Sequence, residues 1–290
     1  MNTVVVGAGA WGTAFAHLLR ERGNTVVVAG REAIDDARYE EAELVVMAVP
    51  SRAFREALGH VRGDAPVLSL TKGLDPETGE RLSTLVRGRP VAALSGPNMA
   101  EEVLAGLPGA AVIASEDEAL AARLQEATNS LLFRVYTNND LIGVELCAAA
   151  KNVIALAAGG VDGLGVGDNA KSALITRGLV EMARLGEACG AQPETFSGLA
   201  GMGDLIVSCW HQSGRNRRAG ELIARGATPD EAKAQIGQVV EGLATAPVLR
   251  DLSRRIGGEL PITEGVCAVL DGMPLNELAG SLMGRRPTDE

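Results

Sequence analysis

Apolar residues follow two different patterns along this chain, and the change from one to the other near residue 138 divides it. Up to that point short continuous apolar runs recur: Val4-Val5-Val6, Val26-Val27-Val28, Leu44 to Val49, Val67 to Leu70, Val91 to Leu94, Ala110 to Ala114 and Phe133 to Tyr136. Such runs, bounded by Gly, Pro and polar residues, read as strands buried on both faces. Between them lie helical patterns: Ala14, Phe15, Leu18 and Leu19 share one face before Gly23, and further helices are expected over Ser51 to Leu58, Met99 to Ala105 and Glu116 to Thr128. Strands alternating with helices predict a doubly wound, mostly parallel α/β sheet over residues 1–138. Only the acidic, polar stretch Glu32 to Glu43 separates the second and third strands, so any helix there must be short.

Beyond Thr137 the strand pattern gives way to helical periodicity, which predicts an all-α second domain over residues 139–290. Leu141 to Ala158 is nearly all apolar and reads as a buried helix joining the two parts, interrupted by Lys151-Asn152. The glycine-rich Gly159 to Asp168 reads as a connection into a helix that ends at Gly190, with Leu174, Ile175, Leu179, Met182 and Leu185 on its core face. Leu199 to Asp204 reads as a flexible turn delivering a carboxylate, followed by a buried segment from Leu205 to Ser208. Gly214 to Arg225 reads as a helix with a basic start. Gln238 to Gly242 and Leu260 to Glu264 punctuate the remaining helices, Pro274 opens the last one, and Gly284 to Glu290 are expected to fray.

The first strand runs into Gly7-Ala8-Gly9-Ala10-Trp11-Gly12, a G-x-G-x-x-G turn opening a helix. Gly7 allows the tight turn, Gly9 lets the backbone approach a pyrophosphate, and Gly12 lets the helix pack closely on the strand. The phosphates would then rest on the free N–H groups of the helix N-terminus. Glycine also serves purely structural turns. The strand on either side, completing a strand-helix-strand unit, favours a dinucleotide-binding Rossmann unit. About twenty residues on, where an acidic residue commonly holds the ribose of NAD, the chain has Arg31, available for the 2′-phosphate of NADP or for stacking on adenine. The cofactor is therefore NADP or NAD, with NADP slightly favoured.

Net charge changes the picture by exclusion. The 290-residue chain carries −10, which argues against nucleic acid as a partner. No apolar run is read as long enough to cross a bilayer, and the first strand begins almost at Met1, so a cytoplasmic location is expected. The four cysteines form no C-x-x-C pair and do not cluster with the three histidines, so no metal site is expected. Candidate chemistry is local. Lys72 follows the fourth strand, where open α/β sheets put their ligands, and is either a site for an anion or a solvated loop lysine. Lys151, inside an apolar helix, either snorkels to water or is desolvated and useful in proton transfer. Asp204 is either a reacting-site carboxylate or a helix cap. Gly214-Arg215-Asn216-Arg217-Arg218 can grip a phosphate or form a solvated basic face.

Taken in order, Gly7 to Gly12, Thr71-Lys72-Gly73-Leu74, Ser95-Gly96-Pro97, Lys151-Asn152-Val153-Ile154-Ala155, Gly203-Asp204, Arg215 to Arg218 and Pro261-Ile262-Thr263-Glu264 closely resemble bacterial NAD(P)-dependent glycerol-3-phosphate dehydrogenase, from near residue 3 to about 283. The resemblance implies an α/β Rossmann domain followed by an all-α domain like that of 6-phosphogluconate dehydrogenase. It implies reduction of dihydroxyacetone phosphate to sn-glycerol 3-phosphate for phospholipid synthesis, in a homodimer. It implies Lys151 as proton donor and acceptor, with Lys72, Asn152 and Asp204 around the reacting carbonyl. Substrate contacts are implied for Gly96, Asn98, Ser208, Gly214, Arg215 and Asn216, and cofactor contacts for Gly7, Gly9, Ala10, Trp11, Gly12, Arg31, Lys72, Ala100, Arg215, Val239 and Glu241. The chain departs from the family in its short Arg31 to Leu44 segment, in Asn98 where Ser or Thr is usual, and in Gly214 where serine is usual. A hydroxy-acid dehydrogenase of the same architecture and a catalytically silent nucleotide sensor are the competing readings.

Overall fold

The computed structural model describes residues 1–275, 277 and 278. The first part alternates β1 (Asn2–Val6), α1 (Ala10–Glu21), β2 (Thr25–Ala29), β3 (Leu44–Met47), α2 (Ser51–His60), β4 (Val67–Ser69), β5 (Val91–Ser95), α3 (Ala100–Leu104), β6 (Gly109–Ala114), α4 (Glu118–Thr128) and β7 (Phe133–Asn138). The strands form one seven-stranded sheet in the order β2-β1-β3-β4-β5-β6-β7. All neighbours run parallel except β5 and β6, which are antiparallel.

Continuous apolar strands make sense in this setting, because successive side chains feed opposite layers. Val5, Val46 and Leu68 enter a core with Phe15, Leu18 and Leu19 of α1 and Leu120 and Leu124 of α4. Val4, Val6, Val45, Met47 and Val67 enter a second core with Phe54 and Ala57 of α2. The chain leaves β1 for β2 on one side and returns to β3 on the other, so the order reverses beside β1, where such sheets open a ligand crevice. Between β2 and β3 there are only two 3-10 turns, Arg31–Ala33 and Tyr39–Glu41, as the short polar segment requires. The buried Tyr39 hydroxyl donates to the Ile34 carbonyl at 2.9 Å and closes this connection.

After Asn138 the described residues form α5 (Leu141–Leu164), α6 (Asp168–Ala188), α7 (Pro193–Ser197), a π-helical turn (Leu199–Gly203), α8 (Asp204–Trp210), α9 (Arg215–Ala224), α10 (Pro229–Ile236), α11 (Glu241–Ile256) and α12 (Pro261–Leu270). Helix α5 is the axis: it packs on β5 and on α6, α8, α9, α11 and α12. Its core takes in Ala93, Val112 and Ala114 from the sheet, so the two parts share buried surface. The expected start of the last helix at Pro274 falls at the limit of the described residues, and Gly284 to Glu290 lie outside them.

Five expectations are corrected. Helix α5 does not stop at Ala158; it runs through Gly159, Gly160 and Gly163 to Leu164, and Gly165, at φ 66°, ends it. Those glycines serve a helix crossing and not a loop. A Cβ on Gly159 would overlap the Arg217 carbonyl, one on Gly163 would lie 2.7 Å from the Glu221 carbonyl oxygen, and one on Gly220 would overlap the Leu156 carbonyl. Helices α5 and α9 thus touch nearly backbone to backbone. Lys151 and Asn152 do not interrupt α5 but lie buried within it, and by length and composition the helix could cross a bilayer, with mean hydropathy 1.7; 89% of that window is buried inside the protein. Leu199 to Asp204 is no flexible turn, because the π-helical turn runs directly into α8. The segment Leu205 to Ser208 is only half buried, with Leu205 inside and Ile206 exposed.

Because a Cβ at position 220 has no space to enter, Gly220→Ala is expected to lower the free energy of unfolding by about 3 kcal/mol. The midpoint of urea unfolding measures it.

Candidate active site

Five strands of one sense, β1 to β5, end on the same edge of the sheet, and their following loops meet at one crevice. From β1 comes the glycine turn. Gly7 sits at φ 113°, and a Cβ there would lie 2.7 Å from the Ala48 carbonyl carbon; a Cβ on Gly12 would overlap the Gly7 carbonyl oxygen. Gly9 faces open space. As N-cap of α1 it supplies no side chain, so the first-turn N–H groups at Ala10, Trp11 and Gly12 are left for an anion. Trp11 packs its ring 6.2 Å from Phe15 and 6.3 Å from Phe133, and its buried indole N–H has no partner. This cradle fits a dinucleotide pyrophosphate. Arg31 follows β2 at the start of the first 3-10 turn and is exposed, and Ala100, partly buried against the same core as Trp11, opens α3.

From the loop after β4 comes Lys72, from β5 and the turn after it come Ser95, Gly96 and Asn98, from the middle of α5 comes Lys151, and from the first residue of α8, directly after the π-helical turn, comes Asp204. They converge on the Asp204 carboxylate, which is 2% exposed. Its Oδ2 accepts from Lys72 Nζ at 2.7 Å and Ser95 Oγ at 3.1 Å, and its Oδ1 accepts from Lys151 Nζ at 2.7 Å and Ser208 Oγ at 3.3 Å. Lys151 Nζ also donates to Ser208 Oγ at 2.7 Å. Asp204 accepts no backbone N–H of its own helix, so capping does not use it. Burial alone would raise its pKa, but the two ammonium groups outweigh that and hold it at about 2. Burial pushes Lys72 down to about 8, with Asp204 opposing and Lys151 and Arg215 adding to the fall. One carboxylate against two lysines leaves this buried cluster with an excess positive charge.

Lys72 Nζ makes two more bonds, to the Gly96 carbonyl at 3.3 Å and to Asn98 Oδ1 at 3.2 Å. Gly96 is at φ 140°, and a Cβ would lie 2.8 Å from the Ala110 carbonyl oxygen, so glycine is required for that carbonyl to reach the site. The Asn98 amide nitrogen is buried without a partner and is free for a ligand oxygen. Asn152 Nδ2 donates to the Lys72 carbonyl at 3.0 Å, Asn216 Nδ2 to Asn152 Oδ1 at 2.9 Å, and the Gly242 N–H to Asn216 Oδ1 at 2.9 Å. This relay ties the β4 loop to α5, α9 and α11. Arg215, the first residue of α9, is exposed and donates to the Val239 carbonyl at 3.1 Å. At Gly214 a Cβ would lie 3.0 Å from the His211 carbonyl oxygen and 3.2 Å from the Ser208 carbonyl oxygen, tight contacts that a side chain would have to relieve by small shifts.

Glu241, expected beside the cofactor, has its carboxylate bonded to the Ser51 N–H and hydroxyl. Ser51 and Ser95 went unnoticed as site residues in the sequence. A lone polar residue ending an apolar strand marks Ser95, whereas nothing local marks Ser51. Among the described residues no group of three or more His, Cys, Asp or Glu is placed to hold a metal. The cysteines are free; Cys147, Cys209 and Cys267 are buried.

Known proteins agree with this geometry. Residues 32–121 match the family model described as NAD-dependent glycerol-3-phosphate dehydrogenase N-terminus, and residues 140–278 match its C-terminus. A glycerol-3-phosphate dehydrogenase [NAD(P)+] of Edwardsiella ictaluri is 43% identical over 329 aligned positions, covering 100% of this chain and 97% of the relative. One from Symbiobacterium thermophilum is 45% identical, covering 98% of this chain and 94% of the relative. The crystal structure of glycerol-3-phosphate dehydrogenase from Coxiella burnetii superposes with a TM-score of 0.92 at 34% identity, covering 98% of this chain and 99% of that one. With its glycine cradle and its buried lysine-aspartate-lysine cluster on one sheet edge, this chain belongs to the NAD(P)-dependent glycerol-3-phosphate dehydrogenase family.

Proposed function

We propose that the chain reduces dihydroxyacetone phosphate to sn-glycerol 3-phosphate, reversibly, with NADPH or NADH, and that it works as a cytoplasmic homodimer supplying glycerophospholipid synthesis. We assign residues 1–138 to dinucleotide binding and 139–290 to substrate binding and catalysis. The observation that carries this reading is the Lys72-Asp204-Lys151 cluster, desolvated and with an excess positive charge, on the edge of the sheet that bears the glycine cradle. That charge suits a carbonyl oxygen that turns anionic during reduction. A hydroxy acid would present a carboxylate to the same cluster, and the substrate assay below separates the two.

The bound nicotinamide supplies the hydride. This chain supplies the rest. Lys151 Nζ holds the proton destined for the substrate oxygen, and its second bond, to Ser208 Oγ, keeps it aimed. Lys72 Nζ stabilises the developing negative charge while Asp204 holds both ammonium groups in place. The free amide of Asn98 and the Gly96 turn bound the substrate beside Lys72. Arg215, with the first turn of α9, takes the phosphate and is placed beside the cofactor through Val239, so binding energy at the unreactive end orients the reacting carbon. Asn152 and Asn216 act chiefly by holding the Lys72 backbone.

Nicotinamide absorbance with dihydroxyacetone phosphate and a panel of hydroxy and keto acids, each with NADPH and NADH, is expected to show turnover of the triose phosphate far above any acid; preference for an acid would overturn the reading. Lys151→Ala is expected to cut kcat by about 10²- to 10⁴-fold while cofactor binding stays near wild type. Because burial pushes Lys72 down to about 8, kcat/KM for reduction should fall as pH rises through that value. Gly9→Ala, whose new methyl group meets no protein atom, is expected to fold normally and bind cofactor about ten- to a hundredfold more weakly, read by titration of intrinsic tryptophan fluorescence.

A further inference from the structure

Ser51 begins α2, directly after the Val49-Pro50 exit from β3, and is 4% exposed. Its backbone N–H donates to Glu241 Oε1 at 3.1 Å and its hydroxyl to Glu241 Oε2 at 2.6 Å. Glu241 is the first residue of α11. One carboxylate therefore lies at the N-termini of two helices, where both dipoles favour it, and joins the sheet edge to the helical part across 190 residues of chain. Gly73 lies directly beneath this contact. A Cβ there would be 2.7 Å from the Ser51 Cβ and 3.4 Å from Glu241 Oε2. Position 73 adjoins Lys72, whose carbonyl is held on its other side by Asn152 Nδ2 at 3.0 Å.

We propose that Ser51 is a positioning residue for Lys72: the Ser51-Glu241 clasp lies over Gly73 and, with the Asn152 amide, confines the β4 loop so that the Lys72 ammonium stays on Asp204. The inference rests on the active-site placement of Lys72 proposed above. Glu241 is thereby spent on closure between the two parts of the chain, in addition to any contact with cofactor. When the hydroxyl bond is removed, the loop gains room on one side. Lys72 then drifts from its desolvated place among Asp204, Lys151 and Arg215 toward water.

The test is a double-mutant cycle of Ser51→Ala, Glu241→Ala and the double variant, read by kcat/KM for dihydroxyacetone phosphate at saturating cofactor, by its pH profile and by cofactor titration. Loss of a hydrogen bond to a charged group predicts that Ser51→Ala lowers kcat/KM about tenfold or more. The alkaline limb should move upward as Lys72 regains water, cofactor affinity of Ser51→Ala should stay within about twofold, and the double variant should be no worse than Glu241→Ala alone. An unmoved alkaline limb, additive losses, or a Ser51→Ala defect confined to cofactor binding would each overturn the proposal. Lys72→Met, measured in parallel, separates the two levels: wild-type activity in that variant defeats the placement of Lys72 itself, whatever Ser51 does.

Discussion

A single buried carboxylate between two lysines is the constraint on which the site depends. Asp204 can stay ionised in its desolvated position only because Lys72 and Lys151 each place an ammonium 2.7 Å from one of its oxygens. The lysines in turn can be that close to one another only because Asp204 lies between them. Each of the three comes from a different setting: a strand-end loop, the middle of a helix and the first residue of a helix. The arrangement therefore exists only in the folded chain. Its charge does not cancel, and the remainder is what suits the cluster to the oxyanion-stabilising role proposed for it.

The sheet gathers the loops of the crevice as this cluster gathers its charges. Parallel strands send their loops to one edge, so the glycine turn after β1 and Lys72 after β4 share a crevice without any special device. Helix α5 closes the arrangement from the other side. It is covered by sheet and helices together, which explains how a helix apolar enough for a membrane can hold a lysine in its middle: the charge meets a carboxylate and a hydroxyl there.

Much of this was legible in the chain. Valine runs and the glycine turn marked β1, α1 and β2 because their patterns are local, and the shift from strand to helical periodicity marked the end of the sheet at Asn138. Lys72, Lys151 and Asp204 stood out as polar residues in apolar or glycine-rich settings, but their mutual contact spans 132 residues between Lys72 and Asp204 and has no local signature. Gly159 to Gly163 misled for the same reason. Glycine in a helix usually signals a break, and only the presence of α9 turns it into a packing surface. Glu241 was placed beside the cofactor by resemblance, yet its partner Ser51, 190 positions away, carries no pattern that would reveal it.

The contact between α5 and α9 bears on how this enzyme can change. Lys151 rides on α5 and Arg215 on α9, and the two helices meet at Gly159, Gly163 and Gly220 with almost no side chain between them. In the proposed site, the separation between Lys151 and Arg215 is therefore set by the thickness of the polypeptide backbone, a quantity no substitution can shrink and that any larger residue can only force apart. Adaptation to a shorter or longer substrate has to come from the loops that face the crevice, at Asn98 or around Gly214, while the spacing behind them stays a fixed gauge.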